Sequence, residues 1–373
     1  MLGAWHEKAV VIVGAGPGGL SAGIHLRRSG RDVLIIEKSH FPKKKFCGGL
    51  LTRPAMVELE YLGMETADAE LFRPIRSLII HHKETSATIE TSEPFFITDR
   101  ERFDAALYQI YVQLGGKIIE DSRVRAVAND HCLLLVDGRE IEFDVLIGAD
   151  GANSRVRKYL NPQEKGRSGY CLGKASMPDI PINPPDGLHI NLNPLSRGYG
   201  WCFKVDGRCY SFGVGVENQG KKVRGAYEIL CNTYGVPVQN SIGALLPFNH
   251  AAKIVAQRHI FLVGDAAGLV DPFLGEGIYQ ALNSGRLAAQ TVIDGGSNKK
   301  YICALGDLRA IYRAGSTLQS ILRYSSVRNM FYSLAIKHHG FLRFVCEEAV
   351  LKKSYHYMQV PQLYYRYRRK RSG

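Results

Sequence analysis

Lys8-Ala-Val-Val-Ile-Val-Gly14-Ala-Gly16-Pro17-Gly18-Gly19, a run on to Arg28, and then Asp32-Val-Leu-Ile-Ile-Glu37 limit what this 373-residue chain can fold into. Ala9 to Val13 is short, apolar and uninterrupted, the pattern of a strand buried in a parallel sheet. Gly14, Gly16 and Gly19 stand at the spacing of a dinucleotide fingerprint. The first serves a tight turn, the second a close approach of backbone to pyrophosphate, and the third a close helix–strand contact. A helix over Pro17 to Arg28 would open at Pro17 and Gly18 with unsatisfied N–H groups facing phosphate. The second strand ends at Glu37, 23 residues after Gly14, where a carboxylate can accept ribose hydroxyls, with Lys38 directly behind it. Three spaced glycines alone are a weak signal and fit an ordinary βαβ unit. Strand, glycines, helix, strand and terminal acid in order are specific. One complete copy near residue 1 favours tightly held FAD over a nicotinamide-only site.

A chain of this length buries a large core and normally divides into two domains. Its eight cysteines show neither metal spacing nor a disulfide framework, which predicts reduced thiols in a cytosolic setting. No leader precedes the fingerprint, and no run of about 18 apolar residues predicts a membrane-spanning helix. The net charge of +13 calls for an anionic partner. Cations gather at Lys43-Lys-Lys45 and in the tail Tyr364-Tyr-Arg-Tyr-Arg-Arg-Lys-Arg371. That tail is either a solvated end or a contact with anionic lipid headgroups; nucleic acid has only the charge in its favour. The expected location is cytoplasmic, peripheral on the inner face of the cell membrane.

Further along, Lys43-Lys-Lys45-Phe-Cys47-Gly48-Gly49 reads as a loop whose glycines admit close approach of a flat or charged group. Cys47 is either a small filler beside a turn or a thiol whose ionised form the lysines favour. Pro54 to Leu62 predicts a helix, and Ser77 to His81 and Ala87 to Thr91 predict strands of an inserted antiparallel sheet. Thr98 or Asp99 caps a helix running to about Leu114. A strand from Lys117 and a hairpin around Asn129-Asp130 follow. Val145 to Ile147 can return to the first sheet, placing the Asp150-Gly151 turn beside a cofactor crevice. From Gly169 to Pro247 alternation fits a second antiparallel sheet, with Tyr199, Trp201 and Phe203 on one face and Gly200, Cys202 and Lys204 on the other. That aromatic face either lines a pocket for an apolar substrate or packs a core. A buried strand then ends at Gly264-Asp265, and the loop Pro272-Phe-Leu-Gly275-Glu-Gly277-Ile278 opens a helix to Ile293 whose dipole can face an anionic ring. Beyond Gly296 the chain reads as helices over 301–313, 318–334 and 342–353, with Phe331, Tyr332 and Leu334 and the aromatics from Tyr355 to Tyr367 as core or lid residues. No cluster has metal-ligand spacing.

In this order the blocks resemble the para-hydroxybenzoate-hydroxylase-like FAD fold, and more closely the geranylgeranyl reductase family. The narrower likeness rests on Lys45-Phe-Cys47-Gly48-Gly49, on Tyr199-Gly-Trp201-Cys-Phe203, and on Pro272-Phe-Leu-Gly275-Glu-Gly277 with Ala281 and Ser284-Gly285, within about residues 8 to 295. Lys204 departs from it, standing where the family carries proline. The resemblance implies an α/β fold: a Rossmann-like FAD-binding domain over 1–70, 99–165 and 256–298, an inserted antiparallel-sheet substrate domain over 71–98 and 166–255, and a helical C-terminal region with the basic tail over 299–373. It implies that Gly14, Gly16, Gly19, Glu37, Arg100 and Asp265 hold FAD. Pro17, Gly18, Lys38, Gly48, Gly49, Asp150, Gly264, Gly275, Gly277 and Ile278 stand beside them at the cofactor. Cys47 is placed near the flavin, as proton donor or positioning group, and Tyr199, Trp201 and Phe203 against a prenyl chain. The implied reaction is reduction of isoprenoid carbon–carbon double bonds by hydride from reduced flavin. The electron donor is NAD(P)H or ferredoxin, which leaves a donor protein among the expected partners alongside the apolar substrate, and no nucleic acid. The alternative within the fold is an aromatic or polyketide monooxygenase; a halogenase lacks its Trp-x-Trp-x-Ile-Pro block here. Outside enzymes, a flavin-containing membrane or partner-binding module remains.

Overall fold

Val10–Val13 is buried along its whole length and pairs in parallel with Val33–Ile36 on one side and Val145–Gly148 on the other. The computed structural model describes residues 10–164, 169–178, 186–193, 198–205, 209–217, 220–238, 241–246 and 251–351. Around Val10–Val13 it builds a six-stranded sheet in the order Ala256–Gln257, Ile260–Leu262, Val145–Gly148, Val10–Val13, Val33–Ile36, Lys117–Ile119. These strands read as short apolar runs because both of their faces are covered.

The helices are α1 (Pro17–Arg28), α2 (Arg53–Tyr61), α3 (Arg100–Gln113), α4 (Arg155–Leu160), α5 (Gly220–Tyr234), α6 (Gly264–Ala267), α7 (Ile278–Ile293), α8 (Asn298–Ala304), α9 (Gly306–Ile321), α10 (Ser325–Lys337) and α11 (His339–Val345). Asp99 caps α3 by accepting the amides of Glu101 and Arg102 at 2.9 and 3.1 Å. α1 and α7 pack so closely that the Ser21 hydroxyl donates to the Leu282 carbonyl at 2.8 Å. Glu58 of α2, almost fully buried, clamps α7 through Arg286 at 2.8 Å and Asn283 at 2.7 Å. These contacts fix the start of α7 relative to the start of α1.

The strands expected as two inserted groups form a single eight-stranded sheet: Ile242–Leu246, Gly169–Pro178, Cys209–Glu217, Gly198–Lys204, Leu188–Asn191, Arg73–His82, Thr85–Ile97, Leu50–Leu51. Among the described residues its neighbours are antiparallel except where Leu188–Asn191 meets Arg73–His82 in parallel. No hairpin joins those two strands. They come from separate insertions, so nothing local imposes an antiparallel turn. α5 covers the face bearing Cys202, with Tyr227, Leu230 and Tyr234 in the contact.

The C-terminal helices break elsewhere than expected. Ala314-Gly-Ser-Thr317 reads as a turn but lies inside α9, where a Cβ on Gly315 would come within 2.8 Å of Asp271 Oδ1. Gly315 serves close packing there rather than chain reversal. The breaks fall at Leu305 and at 322–324. The aromatics from Tyr355 to Tyr367 and the basic tail (364–371) lie outside the described residues.

Candidate active site

The fingerprint turn sets the floor of the site. Gly14 has φ +99° and donates to the Ile36 carbonyl at 2.8 Å, which turns the chain from strand into α1. α1 begins at Gly16 without a side-chain cap, and a Cβ added to Gly16 would meet no protein atom within 4 Å. α7 likewise begins at Gly277 with no side-chain cap. Two bare helix starts and an open space before Gly16 make a cradle for the phosphates of a dinucleotide. Gly16, Pro17, Gly18, Gly264, Asp265, Gly275, Gly277 and Ile278 all line one cavity of about 630 Å³.

The cradle is held from behind. Ser284 of α7 accepts the Gly264 amide at 2.9 Å and donates to the Gln280 carbonyl at 2.6 Å. Arg157 donates to the Asp265 carbonyl at 3.1 Å, leaving the Asp265 side chain toward the cavity. Asp150 is not among the lining residues: Oδ2 accepts the Arg155 amide at 2.6 Å at the start of α4, while Oδ1 is buried without a hydrogen-bond partner among the described residues. Burial raises its pKa, and Ser154 and the helix amides only partly oppose that. Gly151, the other half of the turn expected beside the crevice, does line the cavity, as does Ala149, which sequence reasoning did not single out.

Glu37 is buried but does not line the cavity; it anchors the fingerprint. Its Oε2 accepts the Ala15 amide at 2.7 Å and the Lys43 ammonium at 2.7 Å, while Oε1 accepts the Ser39 amide at 3.0 Å. Lys43 also donates to the Ala15 carbonyl at 2.9 Å. Sequence reading saw Lys43 only as part of a charge run. Lys38 is exposed and stands apart from the site.

Burial alone would raise the Glu37 pKa, yet the charge of Lys43, its hydrogen bond and the two amides hold it below the ordinary carboxylate range. A carboxyl depressed in the fold contributes stability that is fully present above its unfolded pKa, near 4.3, and lost as pH falls through the lower folded value. In Lys43→Met the buried carboxylate loses its partner, a cost of about 3–5 kcal/mol. The melting temperatures of parent and variant should therefore differ most near neutral pH and converge as pH drops below about 4. A pH-independent gap would remove Glu37 from the account.

Cys47, Gly48 and Gly49 also line the cavity, opposite the cradle. Cys47 Sγ accepts the Gly49 amide at 3.5 Å. Arg100 is buried and grips Asp104 one turn on, at 2.9 Å to each oxygen. Burial works against its charge, but Asp104 and Cys47 keep its pKa above the usual arginine value. Thr52 donates to Glu276 at 2.5 Å, tying the cysteine loop to the start of α7.

From there the cavity runs over the inserted sheet. Tyr199, Trp201 and Phe203 share the lining face, as their alternation predicts. Trp201 Nε1 donates to Ser211 at 3.1 Å, and the Tyr199 hydroxyl donates to the Leu274 carbonyl, so the polar tips are occupied. Burial drives the Tyr199 pKa well above the ordinary phenol value, helped by Asp271 and Cys47. Burial likewise pushes the nearby Cys171 thiol up to about 12. Leu78, Ile80, Leu188, Ile190 and Leu192 continue the surface, and α9 and α10 close it with Leu318, Gln319, Arg328, Phe331 and Tyr332. Sequence reading offered Phe331 and Tyr332 as core or lid residues and gave α9 no place at the site. Among the described residues no group of acids, histidines and cysteines is placed to hold a metal ion.

Comparison with known proteins is consistent with this geometry. The family described as FAD binding domain matches residues 7–180. The menaquinone reductase of Mycolicibacterium smegmatis is 31% identical over 331 residues, covering 77% of this chain and 76% of that protein. The digeranylgeranylglycerophospholipid reductase of Methanocella arvoryzae is 26% identical over 313 residues, 77% of each. Among solved structures, a geranylgeranyl bacteriochlorophyll reductase-like protein of Thermoplasma acidophilum superposes with a TM-score of 0.72 at 18% identity, over 92% of this chain and 98% of that one.

Proposed function

The chain belongs to the FAD-dependent oxidoreductases related to geranylgeranyl reductase, and from that premise we propose that it saturates carbon–carbon double bonds in the isoprenoid chain of a quinone-type or other prenylated lipid. The observation that carries this reading is the cavity itself. It joins the dinucleotide cradle to a long apolar sheet face whose aromatic polar tips are already hydrogen-bonded within the protein. An apolar surface of that kind suits a chain recognised by shape and hydrophobic burial. A phenol-directed hydroxylase would need polar groups along the same face.

FAD, when bound and reduced, supplies the hydride. The protein must orient the alkene, exclude water and deliver one proton to the other carbon. Cys47 lines the cavity that joins cradle and apolar face, and the Gly49 amide donates to its sulfur. Anaerobic incubation of the dithionite-reduced holoenzyme with a prenylated quinone tests the reading. After reoxidation of the quinone head, which dithionite itself reduces, the expected product keeps two extra hydrogens per reduced chain double bond by mass. In a parallel incubation under air, hydroxylated product with matching oxygen consumption would instead select the monooxygenase.

Chain length should be tunable at Ile190, on the apolar face of the inserted sheet. Ile190→Trp overfills the cavity at a cost of about 1–3 kcal/mol for a chain that must pass it. The kcat/KM for a four-isoprene substrate should fall roughly tenfold or more, with little change for a two-isoprene one. Equal losses for both would mean the chain does not run past Ile190.

A further inference from the structure

α10 is a helix without a core. None of its residues is buried, although one side closes the cavity with Arg328, Phe331, Tyr332, Ala335 and Ile336. Helical spacing puts Met330, Leu334 and Lys337 on the opposite side. Met330 is 59% exposed and Leu334 48%, and just before the helix Tyr324 is 67% exposed. Ile321, 45% exposed at the end of α9, belongs both to this patch and to the cavity lining. A helix apolar on two faces needs a second apolar surface against its outer one, and a cluster like this marks an interaction site.

Charge narrows the partner. From Leu308 to Cys346 the sequence has no Asp or Glu, while Arg309, Arg313, Arg323, Arg328, Lys337 and Arg343 supply six cations. Arg323 and Lys337 flank the exposed apolar residues and are themselves exposed. Exposed apolar side chains flanked by Arg323 and Lys337 complement an anionic lipid surface; of the other cations, Arg343 is paired with Glu347 at 3.1 Å and Arg328 lines the cavity. No helix among the described residues is long and apolar enough to cross a membrane, so the contact lies in the plane of the surface.

We propose that the outer face of α10, with the turn before it, docks the protein on an anionic bilayer and sets the end of the cavity against the lipid, so that a prenyl chain enters without crossing water. The proposal rests on the prenyl-lipid reading for its purpose, but its test does not require turnover. The full FAD-loaded chain is floated with vesicles of phosphatidylglycerol and phosphatidylcholine, or of phosphatidylcholine alone. The parent should bind the anionic vesicles preferentially and more weakly at high salt. Met330→Glu/Leu334→Glu, and separately Tyr324→Glu, should weaken binding, the double variant by about tenfold or more. FAD content and turnover of detergent-dispersed substrate should stay at the parental level. Three results would overturn the proposal: a parent that stays in solution, variants that bind like the parent, or variants that only turn a dimer into a monomer. Failure of the reductase reading would show separately, as absent turnover by the parent in detergent.

Discussion

Gly19→Val is expected to give a chain that holds no FAD and has lost most of its stability. A Cβ at position 19 would stand 1.9 Å from the Gly14 carbonyl oxygen and 3.2 Å from the Ala149 side chain. The first obstacle is backbone, so no side-chain rotation relieves it. Nor can Gly14 retreat: it sits at φ +99° with its own Cβ position 2.4 Å from the Ala149 carbonyl, and its amide is committed to Ile36. Relief must separate α1 from the central strands, whose side chains are almost fully buried. Overpacking against fixed backbone at such a site belongs with the large mutational effects, above about 4 kcal/mol, a large share of the 5–15 kcal/mol typical of a domain. The purified variant should be colourless, with a lowered melting temperature or none. Gly16→Ala is the companion measurement. There the added methyl meets no protein atom and φ is −83°, so the fold should survive. The methyl instead fills the space before the helix start, and FAD affinity should drop. Parental FAD affinity in Gly16→Ala would mean that the pyrophosphate does not pass over this glycine.

The contrast between these two glycines explains what was legible in the sequence. Gly14, Gly16 and Gly19 act through backbone at fixed spacing, so a local pattern reports them fully. The Asp99 cap and the alternation of Tyr199, Trp201 and Phe203 are local in the same sense. Glu37 was located correctly, but its engagement by Lys43 depends on how a loop folds back, and spacing does not encode that. Asp150 has the turn grammar of a cofactor residue, yet one of its oxygens starts α4. The parallel seam between Leu188–Asn191 and Arg73–His82 joins segments more than 100 residues apart, beyond the reach of any turn rule. The C-terminal helices were harder still. Their amphipathic pattern says that a face is covered, not that the cover is a cavity on one side of α10 and, as proposed, lipid on the other.

Cys47→Ala should lose alkene reduction while keeping its cofactor. The two functions separate because the cradle is built by the starts of α1 and α7, whereas the hydrogen bond to the sulfur comes from the Gly49 amide in the cysteine loop. Removing a positioned proton donor typically costs about 10²- to 10⁴-fold in rate. An isolated alkene is at the demanding end, because no neighbouring group withdraws charge from it. Arg100 should stay in place, since its two bonds to Asp104 do not involve the thiol. FAD content, visible spectrum and dithionite reduction should therefore match the parent, with kcat down and KM little changed. Cys47→Ser is the stricter comparison: it keeps a hydrogen-bonding group of similar size, but a hydroxyl is a far weaker acid than a thiol. If the thiol gives up its proton in the slow step, Ser should rescue little of the lost rate. If Cys47 only positions the chain, Ser should rescue most of it. Parental turnover in both variants would place the proton donor elsewhere in the cavity.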